Sequence, residues 1–190
     1  MKLAVGRALD FLIRGMDRDA AAAMAGVLVL GYGVTVGQVV RLRWGDLSTG
    51  TRYWHLGGDD LPLTAPVLEV LADYAERAGV PGGALMFTDG DGQALRVADL
   101  TARINDLSGN WYPVDTLREW AHYACGELLV GHTLRRVLDH YAELGATPDQ
   151  VKRLSVELAA RRRAGIEEYH GCLAWCADEA TRPAGGGAGG

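Results

Sequence analysis

Hydrophobic and polar positions alternate along this chain with a mostly helical period. Apolar residues at Leu3, Leu9, Leu12 and Ile13 predict a first helix over residues 1–15. The stretch from Ala20 to Leu30 is apolar nearly all round, which predicts a helix central to the core, capped by Asp17 and stopped by Gly31-Tyr32-Gly33. Thr51–Leu56 and Leu61–Leu63 flank Gly57-Gly58-Asp59-Asp60 and predict a short β-hairpin. From Ala65 to Gly79 the pattern is amphipathic, with Val67, Leu68, Val70, Leu71, Tyr74 and Ala78 on the inner side. Leu85-Met86-Phe87 predicts a short strand and Asp89-Gly90-Asp91-Gly92 a turn, since the other ligands of a calcium loop are missing. Helices then follow over Val97–Leu107, Val114–Leu129 and Thr133–Ala146, the last placing Leu134, Val137, Leu138, Tyr141 and Leu144 at core spacing. Thr147-Pro148-Asp149 caps a final helix through Arg163, and a Gly-rich tail closes the chain.

Composition narrows the class. A chain of 190 residues can bury one substantial core. No apolar run is long enough to span a bilayer, and the amino terminus lacks the apolar stretch of a secretion signal, so a cytoplasmic location without membrane contact is expected. Cys125, Cys172 and Cys176 make no disulfide framework. Cys172 and Cys176, with His170 nearby, form a single loose pair where structural zinc needs four ligands, so neither a metal nor a cofactor is expected. The net charge of −5 weighs against strong non-specific DNA binding without excluding a local basic surface. Lys2 and Lys152 are the only lysines; the remaining positive charge is arginine, including the run Arg161-Arg162-Arg163.

Candidate chemistry gathers between Asp115 and Tyr141. Arg118 could neutralise charge growing on phosphate oxygens, His132 could donate a hydrogen bond to the same group, and Tyr141 could be the nucleophile of phosphodiester attack. A tyrosine at this helical spacing is also an ordinary packed aromatic. The arrangement resembles the catalytic domain of the tyrosine recombinases (phage integrases). There a His-x-x-Arg box is followed by Gly-His and, nine residues on, by the nucleophilic tyrosine. Arg118, His132 and Tyr141 fall on three of those positions, and Asp115 falls on the first histidine. Upstream, Gly33, Leu42, Trp44 and Asp46 match the segment around the family's first catalytic arginine. Thr35 stands at that arginine and Gln38 at the glutamate. Trp44 reads as a packing anchor. Leu61-Pro62-Leu63 matches the strand after the family's hairpin, whose lysine has no counterpart here. Only thirteen residues separate Arg118 from His132, fewer than is usual in the family.

The resemblance covers roughly Asp17 to Tyr141. It implies a mainly α-helical domain with a small β-hairpin sheet, divided as a lead-in over 1–16, an integrase-like catalytic domain over 17–164 and a C-terminal helix and tail over 165–190. The separate N-terminal domain that clamps DNA in typical members has no room in this sequence. Thr35 cannot offer a bidentate cation and Asp115 cannot replace a histidine donor. The implied function is therefore a degenerate DNA integration and recombination domain, a pseudoenzyme with strand cleavage lost or severely reduced. Its implied partners are double-stranded DNA, bound weakly or conditionally through Arg43 and Arg161–Arg163, and a recombinase subunit or second copy of the chain. Two other readings stand beside it: a protein-interaction module on the same scaffold, favoured by the acidic hairpin, and an active recombinase using Arg43 and His55 as substitutes.

Overall fold

The computed structural model describes residues 2–56, 59–79, 84–89, 91–125 and 134–181. In chain order these form α1 (Lys2–Arg14), α2 (Ala20–Tyr32), α3 (Val36–Val39), a 3-10 turn (Trp44–Asp46), β1 (Leu47–Ser48), β2 (Tyr53–Leu56) and β3 (Asp59–Pro62). Then come α4 (Ala65–Ala78), α5 (Val97–Leu107), α6 (Val114–Cys125), α7 (Leu134–Glu143) and α8 (Pro148–Thr181). The strands make one antiparallel sheet in the order β1–β2–β3, with Leu47 opposite Trp54 and His55 opposite Asp60. Asp59 and Asp60 thus belong to β3 rather than to the hairpin turn, whose residues 57–58 lie outside the described part.

α2 is the axis of the molecule. Every residue from Ala22 to Tyr32 is buried, and the helix packs against α1, α4, α5 and α6, which is what an all-round apolar helix requires. Asp19, not Asp17, caps it. Asp19 Oδ1 accepts from the Ala22 amide at 3.0 Å, and the carboxylate also takes the Arg103 guanidinium at 2.6 and 2.7 Å. Burial by itself would raise the Asp19 pKa, but the Arg103 hydrogen bond and the Ala22 amide outweigh it and hold it below the ordinary value. Asp17 instead pairs with Arg77 at 2.7 Å. At the other end Gly33 adopts a left-handed φ of 70° and its amide closes on the Val29 carbonyl.

Aromatic side chains tie the sheet and loops to this axis. The Tyr32 hydroxyl donates to the Pro62 carbonyl at 2.9 Å, and its ring meets the fully buried Trp54 edge-on at 5.3 Å. Trp44 stacks on Tyr74 at 5.6 Å, the packing role expected of it. Tyr74 donates to the Met86 carbonyl, and burial pushes its pKa up to about 12. Leu85–Phe87 is not a strand, only a segment flanked by isolated bridges, Arg43 with Leu85 and Thr88 with Ala94. Its successive residues Met86 and Phe87 are both buried, which the alternation of a one-sided strand does not allow. The Asp89 carboxylate accepts from the Asp91 and Gln93 amides, making the expected turn.

α4 buries Val67, Leu71 and Tyr74 as its period predicts, while Ala78 at its end is exposed. The last helix does not stop near Arg163. It continues to Thr181 because Ile166, Tyr169, His170 and Leu173 extend an inward face that packs on α1. Thr147 caps it with Gln150: Thr147 Oγ1 accepts from the Gln150 amide and Gln150 Oε1 from the Thr147 amide. Both chain ends, through Val5 to Met16 and Ile166 to Leu173, enter the same hydrophobic core as α2. α7 packs on α8, and its Tyr141 faces outward, which its spacing had left open between a site and a packed aromatic; Leu144, just beyond the helix end, is also outward although its spacing placed it with the core. Among the described residues, no helix is long and apolar enough to cross a membrane.

Candidate functional site

Arg118 is placed by α6. The helix starts where the Val114 amide donates to Asn105 Oδ1 at 2.7 Å, and it anchors through the buried Val114, Leu117 and Ala121. Arg118 lies beside that face with its side chain 21% exposed. Its Nε is buried and has no hydrogen-bond partner among the described residues, and it stands 3.7 Å from Asp115 Oδ1, one helical turn back. The residue in place of the family's first histidine is thus an anion against the arginine. A carboxylate there competes with any phosphate for the guanidinium.

Tyr141 is on α7, 45% exposed, with its ring 6.4 Å from that of His140. It is not a packed core aromatic. His132 and Gly131 lie outside the described residues, as do the side chains of Leu134 and Val137. The structure therefore provides a half-buried arginine on α6, which packs on α1, α2 and α8, and an accessible phenol on α7, which packs on α8.

Thr35 has a different occupation. It is the N-cap of α3, its Oγ1 accepting from the Gln38 amide at 3.2 Å while Gln38 Oε1 accepts from the Thr35 amide at 2.9 Å and from the Thr35 hydroxyl at 3.1 Å. This reciprocal box satisfies two donors at the amino end of a one-turn helix. Both residues are exposed, yet the Thr35 hydroxyl and the Gln38 side-chain oxygen are engaged within the box.

The other candidates diverge. Arg43 is exposed, and its amide donates to Asp46 Oδ2 at 2.8 Å. His55 Nδ1 lies 2.6 Å from Asp60 Oδ1 across the hairpin, with both side chains more than half exposed. The three consecutive arginines of α8 point three ways, as a rotation of about 100° per residue requires. Arg161 pairs with Glu157 at 2.6 Å, Arg162 is buried rather than displayed on a solvated face, and the Arg163 guanidinium sits 5.1 Å over the Tyr53 ring. The cap partnership of Gln38 with Thr35 and the pairing of Asp60 with His55 were not read from the sequence; the Thr-x-x-Gln spacing is the signal that could have identified the first. Among the described residues no cluster of His, Cys, Asp or Glu is arranged to hold a metal.

Against solved structures, the chain is similar to the crystal structure of XerA recombinase, with a TM-score of 0.50 and 18% identity over 93% of this chain. The fold is that of a tyrosine recombinase. The match spans 62% of the length of the XerA chain. No family model matches this sequence, and no curated protein matches it. At this identity the likeness concerns the backbone arrangement, and it agrees with the mainly helical architecture and the three-stranded sheet read from the sequence.

Proposed function

We propose that this chain is a DNA-handling domain of the tyrosine-recombinase type in which strand cleavage is lost or severely reduced. The Thr35–Gln38 box carries the proposal. These residues occupy the positions that the resemblance gives to the first catalytic arginine and its glutamate, and they serve a helix end instead of a phosphate. Asp115 beside Arg118 acts in the same direction. Losing one preorganised donor to a transition-state oxygen costs about 2.7–4 kcal/mol. Several such losses together, even without additivity, leave little rate.

Binding survives more easily than chemistry, because it needs positive charge near phosphates and not an assembled transition-state site. Arg118, Arg43 and Arg161 are the candidate contacts, with Arg163 two residues on and on another face of α8. The expected outcome is retention on duplex DNA that weakens steeply as salt rises and is reduced by Arg118→Ala. Retention indifferent to salt and to Arg118 would remove the DNA half of the proposal.

One observation favours the second reading, a protein-interaction module. Phe11 and Trp111 meet edge-to-face at 5.6 Å on the surface, with Trp111 58% and Tyr112 44% exposed and Arg7 over the Trp111 ring at 5.9 Å. Exposed aromatics beside an arginine are the side chains that dominate protein interfaces. A recombinase subunit or a second copy of the chain is the partner this reading implies. The third reading, an active enzyme using Arg43 and His55, has less support because Asp60 already holds the His55 ring.

A further inference from the structure

Two adjacent residues of α8 close the carbonyl end of α2. The Tyr169 hydroxyl donates to the Leu30 carbonyl at 3.1 Å, and His170 Nε2 donates to the Gly31 carbonyl at 2.8 Å. Carbonyls in the last turn of a helix have no partner within it, so these bonds fill a need of α2. A Cβ at Gly31 would lie 3.2 Å from Nε2, and the bare backbone lets the ring sit this close. On the other side, His170 Nδ1 is 2.7 Å from Thr64 Oγ1, the N-cap of α4, whose hydroxyl makes no cap bond. One buried ring thus joins α8 to the end of α2 and the start of α4.

These bonds suit a neutral ring. A carbonyl only accepts, so Nε2 carries the proton and Nδ1 accepts from Thr64. A second ring proton would make Nδ1 a donor, reverse the Thr64 hydroxyl and place a cation in the core. Little around the ring would stabilise it. The residues of α1, α2 and α4 that line the space beside it, Leu9, Ile13, Val27, Val67 and Val70 among them, are neutral. The Tyr32 ring meets the imidazole edge-on at 5.0 Å and stays neutral, since burial raises its pKa. The hairpin side contributes Arg52 and Tyr53, and α8 contributes Arg163, Glu167 and the neighbouring Tyr169. Arg162, two turns back on α8, is a further buried cation. Burial lowers the His170 pKa and outweighs the Gly31 carbonyl, which favours the cation.

The attachment of α8 is also short. No residue over 148–161 is buried, and the buried contacts of this helix among its described side chains are Arg162, Ile166, Tyr169, His170 and Leu173. An apolar cavity of about 100 Å³ lies beside the ring, between Leu9, Val27, Val70 and Leu173, and side chains that face a void lose contacts there.

We propose that His170 is a pH-sensitive latch: when its ring becomes a cation, residues 166–173 of α8 detach from α1, α2 and α4 while α2 keeps its place in the core. The latch is independent of the Arg118–Tyr141 reading.

The test is amide hydrogen exchange of the whole chain by NMR between pH 7.5 and pH 5.5, corrected for the intrinsic pH dependence of exchange. Amides 166–173 are expected to open more often than amides 24–30 of α2 at every pH, the mark of local opening. Their opening constant is expected to rise as the pH falls below about 6.5, approaching tenfold per pH unit, because the open segment takes up a proton that the closed one resists. His170→Gln is expected to abolish that rise. Equal protection of the two segments, a flat opening constant, or the same slope in His170→Gln overturns the latch. Should the variant fail to fold, the ring nitrogen shifts of His170 in the wild-type chain decide: titration of the closed state below about pH 6.5 is expected, and titration at or above it has the same overturning force.

Discussion

His170 shows how one side chain can link distant parts of this fold. Its Nε2 lies 2.8 Å from the Gly31 carbonyl, which can only accept, so that nitrogen carries the proton and Nδ1 accepts from the Thr64 hydroxyl. Burial lowers its pKa, outweighing the Gly31 carbonyl, which favours the protonated ring. The folded state thus binds the proton less readily than the unfolded chain, whose histidine titrates near pH 6.5. Stability from this contact is complete above that pH and falls as the pH drops through the window toward the lower folded value. Urea midpoints should therefore decline as the pH falls below about 6.5, and His170→Gln should flatten the decline. A slope of equal size in the variant would place the titration elsewhere. Nothing local in the sequence announces this role, because Gly31 is 139 residues away. Thr35 was more legible: its fitness as a cap and its failure as a phosphate ligand follow from the same hydroxyl.

Among the elements, α2 was readable because its pattern is unambiguous and α8 was not. A run free of charge from Ala20 to Tyr32 has no polar face to solvate, so the chain has one way to place it. In α8 the arginines at 161–163 interrupt the apolar rhythm and suggest an ending. The offsets of Ile166, Tyr169, His170 and Leu173 nevertheless keep the helical period, and two of those residues are polar enough to hide it. The core spacing of Leu144 misled for another reason, and the same reason left the facing of Tyr141 open. Periodicity gives a face, but only the partner helix decides which face is covered, and α7 is paired with α8 rather than inserted in the core. Leu28→Ala, at a fully buried position of α2, should cost about 2–5 kcal/mol in chemical denaturation. Leu144→Ala, at 71% exposure, should stay within about 0.5 kcal/mol. Similar losses at both positions would mean that the α7 region is covered in solution.

At the scale of the whole molecule, the fold and the site separate. The order of elements was recoverable from motifs spaced along most of the chain, and it matches a recombinase backbone at 18% identity. The assembly of the site was less legible, because it depends on contacts between distant segments. Asp115 against Arg118 is one helical turn and could be anticipated; the relation of α6 to α7 depends on the short interval between Arg118 and His132, much of it outside the described residues. With a net charge of −5, the proposed DNA contact would rest on a few placed arginines rather than on a general field. The most direct measurement of the central claim is covalent capture: the purified chain is incubated with nicked suicide duplexes from its native locus and resolved under denaturing conditions. The account predicts no protein–DNA adduct above background. An adduct formed by the wild-type chain and abolished by Tyr141→Phe would contradict it.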